Sequence, residues 1–106
     1  MSRPVEHIVL LRLKEGLTKE QEADAEEGCY SLKAIPGVLA VSFGVNFSAR
    51  SAGYTHGLVV RFINKEAGEK YQDHPLHVAY RDHVLKPLFA AESPVLCVDY
   101  EINASL

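Results

Sequence analysis

Cysteine is scarce in this sequence, which holds only Cys29 and Cys97 among its 106 residues. The two are far apart, they form no CxxC or other metal-ligand spacing, and neither has a candidate base nearby in the sequence. Each lies in an apolar segment, a setting that is typical of a buried free thiol in a reducing compartment. We therefore expect neither a nucleophilic cysteine nor a cysteine-bound metal.

Long apolar runs and basic clusters are also missing. No apolar run approaches the roughly 20 residues that a membrane-spanning helix needs. Lys and Arg, 11 in total against 14 Asp and Glu, form no cluster that favours nucleic acid. Residues 1–4 lead directly into a strand-like segment rather than into a secretion signal. We therefore expect a cytoplasmic protein that binds neither membranes nor nucleic acid.

What the sequence contains is the pattern of one small domain that spans residues 1–106. Residues 5–13 are short, uncapped and rich in branched side chains, which predicts a strand. Its two apolar faces carry Val5, His7, Val9, Leu11 and Leu13 on one side, and Ile8 and Leu10 on the other. Both faces must therefore be covered. Thr18 and Gln21 form a capping box, which predicts a helix from there to about residue 34.

The rest of the chain predicts three more strands and a second, interrupted helix. The predicted strands cover residues 38–47, 54–62 and 95–102, and the predicted helical segments cover residues 64–71 and 75 to about 89. Asn64 is expected to cap the first of these segments, and Pro75 to start the second. On the second segment, Tyr80 is expected to pack in the core and Arg81 to face solvent. The order β-α-β-β-α-β predicts a ferredoxin-like α+β fold with a four-stranded antiparallel sheet.

This arrangement leaves one face of the sheet bare, because both helices pack on the other. The bare face carries either His7, Val9 and Leu11 or their neighbours, and it is too apolar to remain in water. A domain of this size buries only about 60–65% of its unfolded surface, so a second subunit adds stability. We therefore expect a homodimer in which two sheets pack face to face as a dimeric α+β barrel.

Two of the five histidines lie in the segment Tyr71-Gln72-Asp73-His74-Pro75-Leu76-His77. Pro75 fixes the first helical position, which puts His74 at the N-cap and His77 at the third position. The positive end of a helix disfavours an imidazolium, so His77 is expected to be a neutral general base. Tyr71 can then donate a hydrogen bond to an enolate oxygen. The alternatives are helix capping for His74 and His77, favoured for His74, and plain packing for Tyr71.

His7 and His56 each lie inside an apolar strand-like run, and Tyr54 shares a strand face with His56. His56 can orient a substrate or relay a proton, and His7 is expected to be its neighbour if the first and third strands pair. One alternative is that both are core histidines at the dimer seam. Another is a three-nitrogen metal site of His7, His56 and His77, which no spacing or carboxylate motif demands.

Three segments resemble the stress-responsive A/B barrel domain (Dabb) family, namely Val5-Glu6-His7-Ile8-Val9-Leu10, Gly53-Tyr54-Thr55-His56 and His74-Pro75-Leu76-His77. The resemblance covers about residues 3–102, and the His-Pro-x-His helix start is its most specific element. It implies a homodimeric barrel. One member of the family is a plant polyketide cyclase that forms olivetolic acid by an intramolecular aldol condensation. The site residues that the resemblance implies here are His7, His56, His77 and Tyr71.

One position departs from the cyclase. The cyclase has a further pocket tyrosine on its first helix, where this chain has Gly28. Tyr30 lies two residues further on, about 200° around a helix, so it does not take the place of that tyrosine. The resemblance therefore does not transfer the substrate of the cyclase to this chain.

We hypothesise an enzyme that binds a small apolar carbonyl compound and acts by acid–base catalysis, in a cyclase or aldol-type reaction without a cofactor or metal. Its catalytic residues are predicted to be His77, Tyr71 and His56, and its substrate-binding residues His7, Tyr54 and His74. The alternative is a non-catalytic, stress-associated dimer with a structural or ligand-binding role. A cofactor-free monooxygenase is a third hypothesis that rests on fold analogy alone.

Overall fold

A computed structural model describes residues 3–90 and 92–103, which form a four-stranded antiparallel sheet with helices on one face. The strands are β1 (Val5–Leu11), β2 (Val38–Val45), β3 (His56–Phe62) and β4 (Val95–Glu101). The helices are α1 (Lys19–Ser31), α2 (Lys65–Asp73) and α3 (Pro75–Ala79). The sheet order β2-β3-β1-β4, together with the order along the chain, confirms the predicted ferredoxin-like α+β fold.

The predicted helix starts are confirmed by their side-chain hydrogen bonds. The Thr18 hydroxyl accepts from the Gln21 backbone N–H at 3.1 Å, and the Gln21 side chain accepts from the Thr18 N–H at 2.9 Å. These two bonds complete the capping box. The Asn64 side chain accepts from the Ala67 N–H at 2.9 Å and begins α2 in the same way. Local sequence signals therefore place both helices correctly.

The hairpin between β2 and β3 differs from the prediction, because both strands are shorter than expected. The Asn46 side chain donates to the Tyr54 carbonyl at 2.9 Å and accepts from the Ser48 backbone N–H at 2.9 Å. An asparagine that bonds to nearby backbone groups in this way replaces the ladder of a strand with a turn. Phe47 and Tyr54, which were predicted to be strand residues, therefore lie in the loop.

The helical segment that starts at Pro75 is also less regular than predicted. The α-helix ends at Ala79 and continues as a π-helical turn, Tyr80–Leu85, and then as a 3₁₀ turn, Lys86–Leu88. Pro87 has no N–H to donate, which favours the end of the helix at this point. The wide π turn carries residues that face the candidate site described below.

The core lies between the helices and the inner face of the sheet. Alternate residues of the two central strands are buried there, namely Val5, His7, Val9 and Leu11 in β1 and His56, Leu58, Val60 and Phe62 in β3. Ala25 and Cys29 of α1 and Tyr71 of α2 pack against them. Both strand histidines therefore lie between the sheet and the helices of one chain.

The outer face of the sheet is bare, as predicted, and it carries the neighbours of His7 rather than His7 itself. Ile8 and Leu10 are half-buried in the single chain, and Leu96, Val98 and Tyr100 of β4 are 45–50% exposed. Cys97 was expected to be buried, but it is exposed. The reason is that β4 is an edge strand with only one neighbouring strand, and all of its residues are exposed. The predicted apolar outer surface is present.

The helices are short, and the longest, α1, has 13 residues. Within the two described ranges, every helix is too short or too polar to cross a lipid bilayer. The expectation that residues 1–4 hold no secretion signal falls in part on Met1 and Ser2, which lie outside the described residues.

Candidate functional site

A cavity of about 250 Å³ lies between the inner face of the sheet and the helical segment that follows Pro75. Its lining consists of Val9, Leu11, Leu58, Tyr71, Gln72, His77, Tyr80, Arg81, Leu85, Lys86, Phe89 and Val95. Most of the cavity surface is apolar, although half of the lining side chains carry a polar or charged group, Tyr71 and His77 among them. A mostly apolar cavity with a few converging polar groups is the usual form of a small-molecule site.

Tyr71 forms the inner wall of this cavity. Its side chain is only 1% exposed, and its ring packs against the Phe62 ring at a centroid distance of 4.9 Å and against the His77 ring at 4.3 Å. Burial raises the pKa of the Tyr71 phenol, so the group is a neutral donor. Within residues 3–90 and 92–103, its hydroxyl has no hydrogen-bond partner. The only side-chain nitrogen or oxygen in these ranges that is both fully buried and unpartnered is Arg12 Nε, so the Tyr71 hydroxyl is not completely enclosed by protein. The hydroxyl is therefore free to bind a group in the cavity.

His77 occupies the third position of α3, as predicted, and one of its ring nitrogens is already hydrogen-bonded within the protein. Nδ1 lies 3.0 Å from the Gln72 carbonyl oxygen, and because a carbonyl only accepts, Nδ1 carries the proton. Nε2 is then unprotonated, and it has no partner in the described part of the chain. Burial lowers the pKa of His77, and the Arg81 charge acts in the same direction, although the bond to Gln72 opposes them. The ring is therefore a neutral base beside a phenol donor.

His7 lies behind Tyr71 rather than in the cavity. The ring centroids of His7 and Tyr71 are 6.0 Å apart, and His7 Nδ1 is 2.5 Å from a carboxylate oxygen of Asp99. Asp99 was not predicted as a site residue, although it shares a strand face with Cys97 and lies directly opposite His7 in the β1–β4 ladder. The signal that could have identified Asp99 is a carboxylate in a strand, on the same face as the apolar Val95 and Cys97. The pair holds the wall behind Tyr71 in place.

His56 lies at the other end of the sheet, so the prediction that it neighbours His7 is wrong. β1 and β3 do pair, but His7 is opposite Val60 and His56 is opposite Leu11. Four residues along a strand separate the two histidines by about 13 Å. His56 therefore does not line the cavity with Tyr71 and His77.

Both ring nitrogens of His56 have partners of their own. Nδ1 is 2.7 Å from the Thr55 hydroxyl, and Nε2 is 2.8 Å from a Glu22 carboxylate oxygen. Since Glu22 belongs to α1 and Thr55 precedes β3, these bonds attach the first helix to the sheet. The geometry matches the alternative of a satisfied core histidine, located inside one chain rather than at a dimer seam.

His74 and Tyr54, two further predicted site residues, also lie away from the cavity, whereas Arg81 lines it. His74 is the N-cap of α3, where its Nδ1 accepts from the Leu76 N–H at 3.1 Å, which confirms the favoured capping role. Tyr54 packs under the Arg12 guanidinium at 4.5 Å, in the loop near His56. Arg81 was expected to face solvent, but it is half-buried and lines the cavity. The wide π turn places it there.

Tyr80 fills the space that the missing side chain of Gly28 leaves beside α1. A β-carbon added at Gly28 would lie 2.5 Å from two carbon atoms of the Tyr80 ring. The Tyr80 hydroxyl donates to the Ala25 carbonyl of the same helix at 2.6 Å. Tyr30 is 46% exposed and, as predicted, does not enter this space. The ring of Tyr80 therefore closes the cavity on the side of α1.

The Gly28→Ala substitution is expected to destabilise the protein by about 1–3 kcal/mol, the usual cost of overpacking a core. This cost exceeds the gain of about 1 kcal/mol that alanine brings to a helix interior. Urea denaturation of the purified variant measures the change. In a Tyr80→Leu background the same substitution should lose most of its penalty, and an equal penalty in both backgrounds would show that the contact is not the cause.

The three histidines of the metal hypothesis are not brought together. His7 and His56 lie about four strand positions apart, and in the described ranges no three His, Cys, Asp or Glu side chains group closely enough to hold a metal ion. The Cys29 thiol is buried, and burial raises its pKa to about 12, which keeps it protonated at neutral pH. Of the three predicted catalytic residues, the cavity therefore brings together Tyr71 and His77.

Comparison with known proteins agrees with this fold. The family model of the Stress responsive A/B Barrel Domain matches residues 5–102. The stress-response A/B barrel domain-containing protein HS1 of Arabidopsis thaliana is 32% identical over 101 residues, which cover 92% of this chain and 89% of that protein.

The solved structures that are similar to this chain include a bacterial protein and a plant enzyme. A dimeric protein of unknown function with a ferredoxin-like fold, from Bacteroides fragilis NCTC 9343, is 26% identical with a TM-score of 0.74, and the match covers 93% of this chain and 96% of that one. The hydroxynitrile lyase of Passiflora edulis shares the fold with a TM-score of 0.81 at 20% identity, over 100% of this chain and 99% of that one. The match of the family model and the identity to HS1 show that this chain belongs to the stress-responsive A/B barrel domain family.

Proposed function

We propose that this protein is a cofactor-independent enzyme that binds a small, largely apolar carbonyl compound and removes a proton from the carbon next to its carbonyl group. One observation carries the proposal: a neutral imidazole with a free Nε2 and a phenol with an unpartnered hydroxyl line one mostly apolar cavity, with their ring centroids 4.3 Å apart. A base and a hydrogen-bond donor at this spacing suit the formation of an enolate.

The reaction that fits this pair is an aldol-type cyclisation. His77 Nε2 accepts the proton, the C–H electron pair forms the C=C bond of the enolate, and the carbonyl electron pair moves to the oxygen, where Tyr71 donates a hydrogen bond. The C=C electron pair of the enolate then forms a C–C bond to a second carbonyl carbon of the same molecule, while the first C=O bond re-forms and the π pair of the second carbonyl moves to its oxygen. The new alkoxide takes the proton back from His77, so the step needs no oxidant or co-reactant.

The other predicted site residues have supporting roles in this proposal. His7, held by Asp99, keeps Tyr71 in place from behind. His56 and Tyr54 lie away from the cavity, and His74 caps the helix that carries His77. We therefore assign the catalytic roles to His77 and Tyr71 alone.

Deuterium exchange tests the proposal without knowledge of the natural substrate. Proton removal next to a carbonyl replaces C–H by C–D in D₂O, and proton NMR detects the loss of signal in a panel of small ketones and 1,3-diketones. Enzyme-dependent exchange in at least one compound is the expected result. If exchange equals the buffer rate throughout the panel, the hypothesis of a non-catalytic, stress-associated dimer replaces this one. The name of the Arabidopsis relative, a stress-response protein, fits that alternative.

We also propose that the whole chain is one such domain and works as a cytoplasmic homodimer joined through the outer sheet face. The exposed apolar side chains of that face and the dimeric Bacteroides protein at 26% identity support the assembly. The absence of a disulfide partner for either described cysteine is compatible with a reducing compartment.

Light scattering on matched variants tests this assembly. Leu96, 45% exposed on the outer face, and Leu76, 43% exposed on the helical side, allow the same change to aspartate at similar exposure. Leu96→Asp is expected to give a monomer at micromolar concentration, and Leu76→Asp to remain dimeric. A monomeric unmodified protein, or a dimer that tolerates Leu96→Asp, would contradict the proposed interface.

A further inference from the structure

The charged groups that line the cavity beside Tyr71 and His77 are both cations. Arg81 and Lys86 reach it from the π turn and the 3₁₀ turn, and no Asp or Glu of the described residues lines it. The remaining wall is mostly apolar. A cavity whose charged groups share one sign selects for ligands of the opposite sign.

Asp82 holds the two cations in position without occupying the cavity. Arg81 donates through Nε to one carboxylate oxygen of Asp82 at 2.9 Å and through Nη2 to the other at 3.4 Å, and Lys86 Nζ lies 3.1 Å from the first oxygen. One carboxylate thus serves two cations, and Asp73 is the further carboxylate whose charge acts on Arg81. Arg81 Nη1 has no partner among residues 3–90 and 92–103. The guanidinium is therefore fixed in direction and keeps an unused donor.

Arg81 is also close to the proposed base. It follows His77 by four residues, about one helical turn, and both side chains line the same cavity. The charge of Arg81 acts on the His77 ring, as expected at that separation. A ligand bound to Arg81 by an anionic end would have its next few atoms beside His77 and Tyr71.

We propose that the ligand of this cavity is a small carbonyl acid, whose carboxylate binds Arg81 with support from Lys86 while its carbonyl lies between Tyr71 and His77. The apolar middle of such a molecule contacts Leu58, Leu85 and Phe89. The volume of about 250 Å³ is slightly below the usual range of ligand sites, about 300–1,000 Å³, which limits the molecule to a short chain or one ring. This inference rests on the proposed function and adds the class of substrate to it.

Binding measurements with matched acids and esters test the inference. The probes are 4-oxopentanoate, 5-oxohexanoate and 4-oxo-4-phenylbutanoate, each against its methyl ester, titrated by calorimetry and followed by NMR signals of the cavity residues. At least one acid is expected to bind about tenfold or more tightly than its ester, as a charge-assisted hydrogen bond allows. Raising the salt concentration should reduce the difference.

Arginine variants assign the preference to one residue. Arg81→Gln removes the charge, leaves Lys86 to pair with Asp82, and is expected to make the affinities for acid and ester equal. Arg81→Lys should restore part of the preference, because it keeps the charge but not the fork of donors. Arg50→Gln, the same change in the exposed loop between β2 and β3, should leave the preference unchanged.

The results separate this inference from the proposed function. No binding by any of the three acids, equal affinities for acids and esters, or an undiminished preference in Arg81→Gln would overturn the inference. If the acids bind through Arg81 but no compound exchanges deuterium, the inference stands and the enzymatic proposal fails. If neutral ketones exchange and the acids show no advantage, the enzymatic proposal stands and the inference is wrong.

Discussion

Replacing His77 with glutamine is expected to slow deuterium exchange next to a carbonyl by about 10²- to 10⁴-fold, the usual contribution of a general base. Glutamine is similar in size to the imidazole ring and keeps an N–H that can donate to the Gln72 carbonyl. It offers no nitrogen lone pair to a proton. The rate should therefore fall while the fold is retained, which NMR exchange rates and circular dichroism measure together.

A second histidine on the same helical segment provides the control for this change. His83 is exposed and does not line the cavity with Tyr71, so His83→Gln should keep the full rate. Equal rates for the two variants, at equal thermal stability, would show that another group removes the proton.

The pH dependence of the reaction reports on the same imidazole. In the proposed mechanism the active form is the neutral ring, and burial lowers the pKa of His77 below its ordinary value of about 6.5. The rate should therefore rise with pH through a midpoint below 6.5 and remain constant at neutral pH. The acidic limb of kcat/KM should be absent in the residual activity of the glutamine variant. A limb centred well above 6.5 in the unmodified protein would contradict the assignment.

Replacing Tyr71 with phenylalanine is expected to lower the exchange rate by about 10²- to 10³-fold, which is the usual loss when one donor to a developing oxyanion is removed. Stability should change little, because no group in the described ranges bonds to this hydroxyl and the ring contacts with Phe62 and His77 remain. The combination of a large loss of rate with a small change in the free energy of unfolding separates catalysis from packing.

Tyr30→Phe is the matched control for the loss of a phenol hydroxyl. Tyr30 lies on α1, is 46% exposed and does not line the cavity, so its variant should keep both rate and stability. A Tyr71→Phe protein with the full rate would support the alternative in which Tyr71 only packs against the sheet. A fall in rate that is fully accounted for by an equal loss of folded protein would also support that packing alternative.

Much of the fold was predictable because its signals are local. The capping box at Thr18, the Asn64 cap and the start of α3 at Pro75 depend on residues within one helical turn. The alternation of apolar residues along β1 and β3 predicted which side chains share a face. These signals also placed His77 at the third helical position.

What the sequence left undetermined depends on contacts between distant segments. Alternation puts His7 and His56 on the same face but does not set the register of β1 against β3, which separates them by four positions. The pairing of His7 with Asp99 depends on the register of β1 and β4 in the same way. Arg81 reached the cavity through a π turn, which no local signal predicted.

The contact between Gly28 and Tyr80 makes the shape of the cavity depend on two helices at once. Because the ring occupies the space of any side chain at position 28, large groups at both positions are mutually exclusive. A tyrosine at position 28 therefore requires a small residue in place of Tyr80, and a small residue at position 80 leaves a void unless the side chain at position 28 is larger. Redesign of the cavity for a larger or smaller substrate thus requires a coordinated pair of substitutions, one in α1 and one at position 80, rather than a single change.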